Sequence, residues 1–266
     1  MPHHTLNDLS YHYTRSGEGD PILFLHGFTG CGDNWQPITD SLLPHFQTIT
    51  IDLPGHGKTD SPADPARYQV EAVAADLHEF IIHIIQAPVH LVGYSMGGRL
   101  ALYFALHYPD AIRKLVLESA SPGLADPAER DTRRASDDQL AARILQNGIA
   151  AFVEEWDNLP LFASQSSEIR QRLHTQRLQN NPLGLANSLR GMGTGVQPPL
   201  WDLLPSLKPP ALILNGALDT KFVAIGEQMA RLMPTAHQRI FPNVGHALHL
   251  ERSTDYTMML HEFLMD

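Results

Sequence analysis

The stretch Val92-Gly93-Tyr94-Ser95-Met96-Gly97-Gly98 decides the fold prediction for this chain. An apolar run of strand length, residues 89–92, precedes it, and a helical pattern over residues 96–108 follows it. Glycines two positions before and after Ser95 leave room for a strained turn that side chains would block. This context is typical of a G-x-S-x-G nucleophile elbow, which lifts a serine hydroxyl above a sheet. The alternative is an incidental serine in a glycine-rich turn.

Short apolar runs of strand length recur on both sides of this turn. They contain mostly β-branched and aliphatic residues without alternation, which is typical of parallel strands covered on both faces. The runs lie at residues 22–25, 47–51, 89–92, 115–117, 211–214 and 238–241. The polar alternation of the first fifteen residues favours an antiparallel edge strand or hairpin. We therefore predict an α/β fold with a mostly parallel central sheet and helices on both faces.

The strand pattern stops between residues 121 and 200. Helical stretches at residues 137–146, 149–156 and 168–179 replace it. We predict that residues 121–200 form a helical lid inserted into a core made of residues 1–120 and 201–266. Ligands of open α/β folds bind at the carboxyl edge of the sheet, so the lid is expected to cover that edge.

The composition disfavours several classes of protein. The 266 residues are 43% hydrophobic, but the apolar runs are far shorter than the roughly 20 residues that cross a membrane. A formal net charge of −10 disfavours nucleic acid and anionic membranes as partners. Cys31 is the only cysteine, and the first residues do not resemble a signal peptide. We expect a cytoplasmic protein, and a monomer.

A serine hydroxyl needs a histidine to take its proton and an acid to orient that histidine. Asp219 and His246 each follow a predicted strand, in Asn215-Gly216-Ala217-Leu218-Asp219 and Asn243-Val244-Gly245-His246. The order Ser95, Asp219, His246 is that of α/β-hydrolases. His249 is close by, and we prefer His246 because it directly follows the glycine turn. Surface-loop and helix N-cap roles remain the alternatives for His246 and Asp219.

A loop after the first core strand, Leu25-His26-Gly27-Phe28-Thr29-Gly30, occupies the position where these folds complete an oxyanion hole. We predict that the backbone amides of Phe28 and Met96 are its donors, with an ordinary glycine turn as the alternative. We interpret residues 52–57 as a structural turn that shapes the pocket floor. His246-x-x-His249-x-Glu251 lacks the helical spacing of a metal site, so we expect no metal and no cofactor.

These elements resemble the α/β-hydrolase superfamily over nearly the whole chain. Within residues 121–200, the cationic residues are all arginine, which is suited to holding carboxylates in two hydrogen bonds. An acidic small substrate is therefore implied, although nine acids accompany the arginines and a solvated charged surface is the alternative. Arg99 lies four residues after Ser95 on an apolar helix, so it must face a polar cavity or form a buried ion pair.

A group of further motifs narrows the resemblance. They are Gly93-Tyr94-Ser95-Met96-Gly97-Gly98-Arg99, Ser121-Pro122-Gly123-Leu124, Ala128-Glu129-Arg130 with Arg133, Trp156 with Leu161-Phe162-Ala163-Ser164, Arg177 before Asn180-Asn181, and Asp219-Thr220-Lys221-Phe222. Together they resemble the 2-succinyl-6-hydroxy-2,4-cyclohexadiene-1-carboxylate synthase family of menaquinone and phylloquinone biosynthesis. The family's carboxylate-binding positions match a set of five residues, although Arg130 and Arg134 lie close enough to Arg133 to leave the alignment open there. The five are Tyr94, Arg99, Arg133, Trp156 and Arg177.

The resemblance implies a lyase that eliminates pyruvate from 2-succinyl-5-enolpyruvyl-6-hydroxy-3-cyclohexene-1-carboxylate. It implies that Ser95, activated by His246 and Asp219, acts as a base on a ring proton and needs no cofactor. The implied partner is a small polycarboxylate. One alternative is a hydrolase of the same fold that cleaves a carbon–carbon bond or an ester of an acidic substrate. A non-catalytic receptor for an acidic ligand is a third class, and the intact triad argues against it.

Overall fold

An eight-stranded sheet forms the centre of the chain in the computed structural model, which describes residues 2–266. Its strands are β1 (His3–Leu6), β2 (Leu9–Ser16), β3 (Asp20–Leu25), β4 (Phe46–Ile51), β5 (Val89–Tyr94), β6 (Ile112–Glu118), β7 (Ala211–Gly216) and β8 (Ala236–Phe241). The spatial order is β1-β2-β4-β3-β5-β6-β7-β8. The two pairs at the β1 end are antiparallel and the other pairs are parallel. The predicted α/β fold is confirmed, and its six apolar runs lie in β3 to β8.

Helices cover both faces of this sheet because each central strand is apolar on both sides. The helices are α1 (Gln36–Leu42), α2 (Val70–Phe80), α3 (Met96–His107), α4 (Pro127–Asp157), α5 (Ser167–Arg177), α6 (Pro182–Met192), α7 (Thr220–Leu232), α8 (Leu248–Glu251) and α9 (Ser253–Met265). Successive residues of one strand enter different clusters: Leu23 packs with residues of α2 and α3, and Phe24 with residues of α1 and α9. This is the alternation expected of a pleated strand.

The strand order places one crevice at the carboxyl ends of β3 and β5. These two strands are neighbours, and Leu25 pairs with Gly93. The chain leaves β3 towards β4 on one side and leaves β5 towards β6 on the other. Open α/β sheets bind ligands at such a reversal. The loop that contains Phe28 therefore lies beside the turn that contains Ser95.

The helical stretches predicted at residues 137–146 and 149–156 both lie in α4, which consists of two helices that meet at Gly148. Asp126 accepts hydrogen bonds from the amides of Ala128 and Glu129, and proline occupies the first helical position. These start signals lie about ten residues before the predicted start. The helix is broken at Gly148, whose φ of 79° and ψ of 174° are accessible to glycine alone. A Cβ at this position would meet no atom within 4 Å, so the glycine serves the backbone conformation and not close packing.

The helical segment (residues 121–200) contains α4, α5 and α6 and has an apolar cluster of its own. Its ends lie side by side, because the Leu200 amide donates to the Pro122 carbonyl over 2.8 Å and Trp201 Nε1 donates to the Gly123 carbonyl over 2.9 Å. The segment thus leaves the sheet and rejoins it at nearly the same place. Across residues 2–266, no helix has the combination of length and apolar character that a membrane crossing requires.

Candidate active site

Ser95 occupies a strained turn between β5 and α3, with φ 51° and ψ −107°. The flanking glycines are required by close backbone contacts. A Cβ at Gly93 would lie 2.4 Å from the Gly97 carbonyl oxygen, and a Cβ at Gly97 would lie 2.4 Å from the Leu25 carbonyl oxygen. The Ser95 amide donates to the Glu118 carbonyl of β6 over 2.8 Å, which anchors the turn to the neighbouring strand. The turn leaves the hydroxyl on the cavity side of the sheet.

His246 connects this hydroxyl to Asp219. Its Nε2 lies 3.0 Å from Ser95 Oγ, and its Nδ1 lies 2.5 Å from Asp219 Oδ2. Because an ionised carboxylate only accepts hydrogen bonds, the Nδ1–H donates to Asp219 and Nε2 accepts from the serine hydroxyl. Asp219 precedes the first turn of α7, yet its side chain caps no amide there. The structure thus brings the three predicted residues together in the arrangement that activates a serine.

His249, the other histidine near the triad, belongs to a separate buried pair. Its Nδ1 donates to both carboxylate oxygens of Glu118 at 2.9 Å, and its ring stacks on Trp35 with centroids 4.2 Å apart. Glu118 is fully buried at the end of β6. Sequence reasoning missed this pair, and the one signal available was a charged residue that ends an apolar strand. The pair fixes the loop that carries His246.

Phe28 and Met96 both line the cavity above Ser95. Within residues 2–266, neither of their backbone amides donates a hydrogen bond to another group of the chain. Burial lowers the pKa of His26, and the neutral ring accepts from the Leu53 amide and donates to the Gly27 carbonyl. This ring holds the loop in shape while two amides remain available for a developing negative charge.

The same loop is tied to the helical segment. The Thr29 carbonyl accepts one hydrogen bond from Gln176 Nε2 and one from Asn180 Nδ2, each 3.0 Å long. Thr29 has a φ of 68°, which is uncommon for a β-branched residue. The position of the Phe28 peptide therefore depends on α5 and on the turn that follows it. Sequence reasoning did not name Gln176, and it included Asn180 in a family motif without assigning it a role.

A cavity of about 330 Å³ lies between the sheet edge and the helical segment. Its size suits a small organic ligand. Three cationic side chains line it, namely Arg99, Arg133 and Lys221. The predicted site residues that line the same cavity are Phe28, Tyr94, Ser95, Met96, Trp156, Asp219 and His246.

Arg99 lies one helical turn after Ser95 and is held by an uncharged partner. Its Nη1 donates to Gln197 Oε1 over 2.7 Å, and no carboxylate of residues 2–266 is within ion-pair distance. The expected alternative of a buried ion pair is therefore not what the structure contains. Burial and, to a smaller extent, the nearby charge of Arg133 lower the pKa of Arg99 to about 10, while the charge of Asp137 opposes both. A desolvated cation of this kind is suited to binding an anion.

Arg133 is the one of three adjacent arginines that faces the cavity. Its Nε donates to Asp137 Oδ1 over 2.8 Å, and Asp137 is only 5% exposed. Arg130 instead donates to the carbonyls of residues 124 and 125, and Arg134 lies 3.6 Å from Asp131 on the surface. Because one edge of its guanidinium is fixed by Asp137, the other edge remains for a ligand carboxylate.

Arg177 does not line this cavity, and the substrate-binding role that the family resemblance implies for it stays a prediction. It forms an ion pair with Asp157, which also accepts a hydrogen bond from His174, and its guanidinium lies 4.8 Å from the centre of the Phe162 ring. It lines a smaller cavity of about 30 Å³. Phe28, Tyr94 and Phe162 line both cavities and so form their common boundary.

The turn at residues 52–57 does not form the pocket floor, which corrects the interpretation from the sequence. None of its residues lines the main cavity. The Asp52 carboxylate accepts hydrogen bonds from the amides of Gly32 and Lys58, and Gly55 packs so closely on Gly184 of α6 that a Cβ would lie 2.6 Å from its carbonyl oxygen. The turn supports the helical segment from below because small residues permit this approach.

Four residues that sequence reasoning did not assign contribute to the cavity or hold its lining. They are Asp137, Gln197, Lys221 and Phe222. Gln197 accepts a hydrogen bond from Arg99, and Asp137 accepts one from Arg133. Neither pair could be identified without the structure. Lys221 and Phe222 follow Asp219 directly, so their position next to the triad was a usable signal. Within the described residues 2–266, no cluster of side chains has the composition of a metal site.

The comparisons with known proteins agree with this architecture. A family profile described as the alpha/beta hydrolase fold matches residues 20–253. The chain belongs to that family.

Individual curated proteins resemble the chain over nearly its whole length and define a narrower family. The chain is 43% identical to the putative 2-succinyl-6-hydroxy-2,4-cyclohexadiene-1-carboxylate synthase of Bacillus subtilis, over 92% of this chain and 90% of that protein. It is 33% identical to the synthase of the same name from Serratia proteamaculans, over 95% of this chain and 96% of that protein. The structure of MenH from S. aureus has 36% sequence identity and a TM-score of 0.91, and the match covers 96% of this chain and 97% of that one. Within the alpha/beta hydrolases, the chain belongs to the 2-succinyl-6-hydroxy-2,4-cyclohexadiene-1-carboxylate synthase family.

Proposed function

We propose that this protein eliminates pyruvate from 2-succinyl-5-enolpyruvyl-6-hydroxy-3-cyclohexene-1-carboxylate and yields 2-succinyl-6-hydroxy-2,4-cyclohexadiene-1-carboxylate. The observation that carries the proposal is one cavity in which a histidine-activated serine lies together with Arg99 and Arg133. A neutral ester would offer these two guanidinium groups no carboxylate to bind. The names of the relatives support the same reaction.

The reaction begins with loss of a proton from the ring carbon that bears the succinyl group. Ser95 is the base in this step, and His246 takes the serine proton while Asp219 stabilises the resulting imidazolium. The electron pair of the broken C–H bond forms a new ring double bond, and the existing double bond shifts by one position. The C–O bond to the enolpyruvyl group then breaks, and its electrons leave with the enolate of pyruvate.

Protonation of that enolate carbon gives pyruvate, and the proton removed from the ring balances it. No oxidant or reductant is needed in this sequence. The negative charge of the intermediate gathers on the oxygen of the succinyl ketone. The Phe28 and Met96 amides are the donors we assign to this oxygen, because both residues line the cavity and their amides have no other acceptor within residues 2–266.

We propose that residues 121–200 act as a lid over the core formed by residues 1–120 and 201–266. Trp156 and Arg133 reach the cavity from this segment, and Tyr94 and Arg99 reach it from the core. The lid would exclude water from the carbanion. We place the reaction in the cytoplasm, because Cys31 is buried and its single thiol can form no internal disulfide.

A hydrolase of an acidic ester is the second candidate. An esterase from Thermogutta terrifontis with malate bound has 27% sequence identity and a TM-score of 0.84 to this chain. The same triad and amides would serve acyl transfer if water could attack an acyl-serine. The two candidates differ in whether pyruvate is released from the enolpyruvyl substrate.

The test measures pyruvate release from the enolpyruvyl cyclohexene by the purified protein, with and without a metal chelator. We expect release in both conditions. Replacement S95A should lower kcat by about 10²- to 10⁴-fold, because the proton acceptor is lost. Replacement R133A should raise KM by about tenfold or more and change kcat less, because a charge-assisted contact to a carboxylate is lost.

Arg134 provides the matched control for this variant. It is the next residue of α4 and lies on the surface, so R134A removes the same charge without touching the cavity. R134A should behave as the wild type. Turnover of simple esters without any pyruvate release would reject the lyase and favour the hydrolase.

A further inference from the structure

Lys221 lies where the inner cavity meets the outside. A second, outer groove of about 460 Å³ adjoins the cavity, and its wall includes Pro160 and Ser164. Lys221, Leu161, Asp219 and His246 line both spaces and therefore form their common boundary. A molecule that leaves the cavity through this groove must pass the Lys221 ammonium group.

The ammonium group of Lys221 is available to a ligand. The residue is exposed, and no carboxylate of residues 2–266 lies within ion-pair distance of it. Its one described neighbour is the ring of Phe222, with Nζ 5.9 Å from the ring centre. Such a contact is weak at an exposed position and leaves the ammonium free to donate.

The balance of charge indicates what this group would bind. The cavity is lined by three cations (Arg99, Arg133 and Lys221) and by one carboxylate, that of Asp219, which His246 already engages. The proposed substrate carries three carboxylates. Arg177, the other arginine considered for substrate binding, is paired with Asp157 and lines the neighbouring small cavity. Lys221 is the third cation that lines the cavity of Ser95, and the number of cations there equals the number of carboxylates on the proposed substrate.

The two kinds of cation differ in how firmly they are held. Arg99 and Arg133 are each oriented by a side-chain partner, Gln197 and Asp137 respectively, so they suit the part of the substrate that must stay fixed. Lys221 is a point charge on a flexible stem at the exit. Lys221 therefore suits the carboxylate of the group that leaves the substrate.

We propose that Lys221 binds the carboxylate of the enolpyruvyl group and accompanies it as pyruvate through the groove lined by residues 160, 161, 163 and 164. The inference rests on the proposed function. It assigns the leaving group to the mouth of the cavity and the retained ring carboxylate and succinyl carboxylate to the two arginines. The opposite orientation would place the leaving group on the two arginines, away from the groove.

Inhibition of the wild-type enzyme by added pyruvate tests the assignment. Lys221→Met removes the charge and keeps an apolar stem, and Lys221→Arg keeps the charge. Lys208→Met is the matched control, because Lys208 is an exposed lysine that precedes β7 at the opposite edge of the sheet. The measured quantities are KM for the substrate, the inhibition constant of pyruvate, and their dependence on salt.

We expect K221M to raise both constants by about fivefold, the size of effect typical of one partly exposed ion pair. K221R should restore them, and K208M should leave them unchanged. Salt should weaken pyruvate inhibition of the wild type more than that of K221M, because only the wild type has the ammonium.

Equal inhibition constants in K221M and K208M, or a wild type that pyruvate does not inhibit, would overturn the assignment while the lyase activity stands. A wild type that releases no pyruvate from the substrate would overturn the proposed function as well. The two failures are therefore distinguished by the wild-type rate alone.

Discussion

The buried side chain of Asp137 orients the guanidinium group of Arg133, although Asp137 does not itself line the cavity. Its Oδ1 accepts from Arg133 Nε, while its Oδ2 is buried without a partner within residues 2–266. A Cβ at Gly193 would lie 2.6 Å from Oδ2, so α6 ends in a residue that makes room for this carboxylate. The negative charge of Asp137, as well as its shape, fixes the Nε edge of the Arg133 guanidinium.

We expect Asp137→Asn to raise KM by about tenfold and to change kcat by less, because the amide keeps the volume and loses the charge that orients Arg133. Steady-state kinetics of pyruvate release would measure this split. Asp138→Asn is the control, since Asp138 is the exposed neighbour on the same helix. A fall in kcat with an unchanged KM would show that Asp137 does not act through substrate binding.

The candidate site could be predicted from the sequence where its chemistry is local. Ser95 lies between required glycines, and His246 follows a turn directly after a strand. The partners of the arginines could not be predicted, because Gln197 is 98 positions from Arg99 and no pattern joins them. Arg177 shows the converse limit: the resemblance singles it out, but the occupancy of its guanidinium by Asp157 depends on how α4 and α5 pack.

At the scale of elements, the broken helix α4 requires a glycine at position 148. Its amino-terminal part presents Arg133 to the cavity and its carboxyl-terminal part presents Trp156, and Gly148 lies between them. Only glycine adopts this φ and ψ without strain. The break therefore sets the angle at which two parts of one helix meet the same ligand.

We expect Gly148→Ala to lower the free energy of unfolding by about 1–3 kcal/mol, because the strain is in the backbone and open space surrounds the added methyl. If the helix straightens instead, KM should rise as Trp156 moves. Urea unfolding and kinetics together would measure both effects. Gln146→Ala, at an exposed position of the same helix, should leave both unchanged, and equal behaviour of the two variants would contradict the role of the break.

Helices and strands could be predicted where the sequence has apolar runs, helical periodicity or turn residues. Apolar runs indicated β3 to β7, because both faces of these strands are largely covered. The edge strand β8 is mostly exposed, and its run includes Gln238 and Arg239. The start of α4 was missed, since the first two turns are polar and their only signal is Asp126 followed by Pro127. The role of residues 52–57 was missed because the contact of Gly55 with Gly184 joins two distant segments.

At the scale of the whole molecule, buried neutral histidines make stability depend on pH. Burial and, to a smaller extent, the neighbouring His26 lower the pKa of His56 to about 3. Burial also lowers the pKa of His90 to about 4. Below the ordinary histidine pKa of about 6.5, the unfolded chain binds protons that the folded chain does not bind. Stability is therefore complete above about pH 6.5 and falls as the pH is lowered.

We expect His56 alone to account for a loss of roughly 1 kcal/mol of unfolding free energy per pH unit just below pH 6.5. Urea unfolding at about pH 7.5 and at about pH 5.5 would measure the loss, and His56→Asn should reduce it. His237→Gln, which changes an exposed histidine on β8, is the control. An unchanged pH dependence in the His56 variant would contradict the expectation.

The two hydrogen bonds that the Thr29 carbonyl accepts from Gln176 and Asn180 have a consequence for the order of events. They join the peptide next to Phe28 to the helical segment (residues 121–200). If this segment opens as the proposed lid, both hydrogen bonds break and the loop that contains Phe28 is freed. On that proposal, entry of substrate and stabilisation of the anion by the Phe28 amide are separate states, and the anion forms only after closure has excluded bulk water.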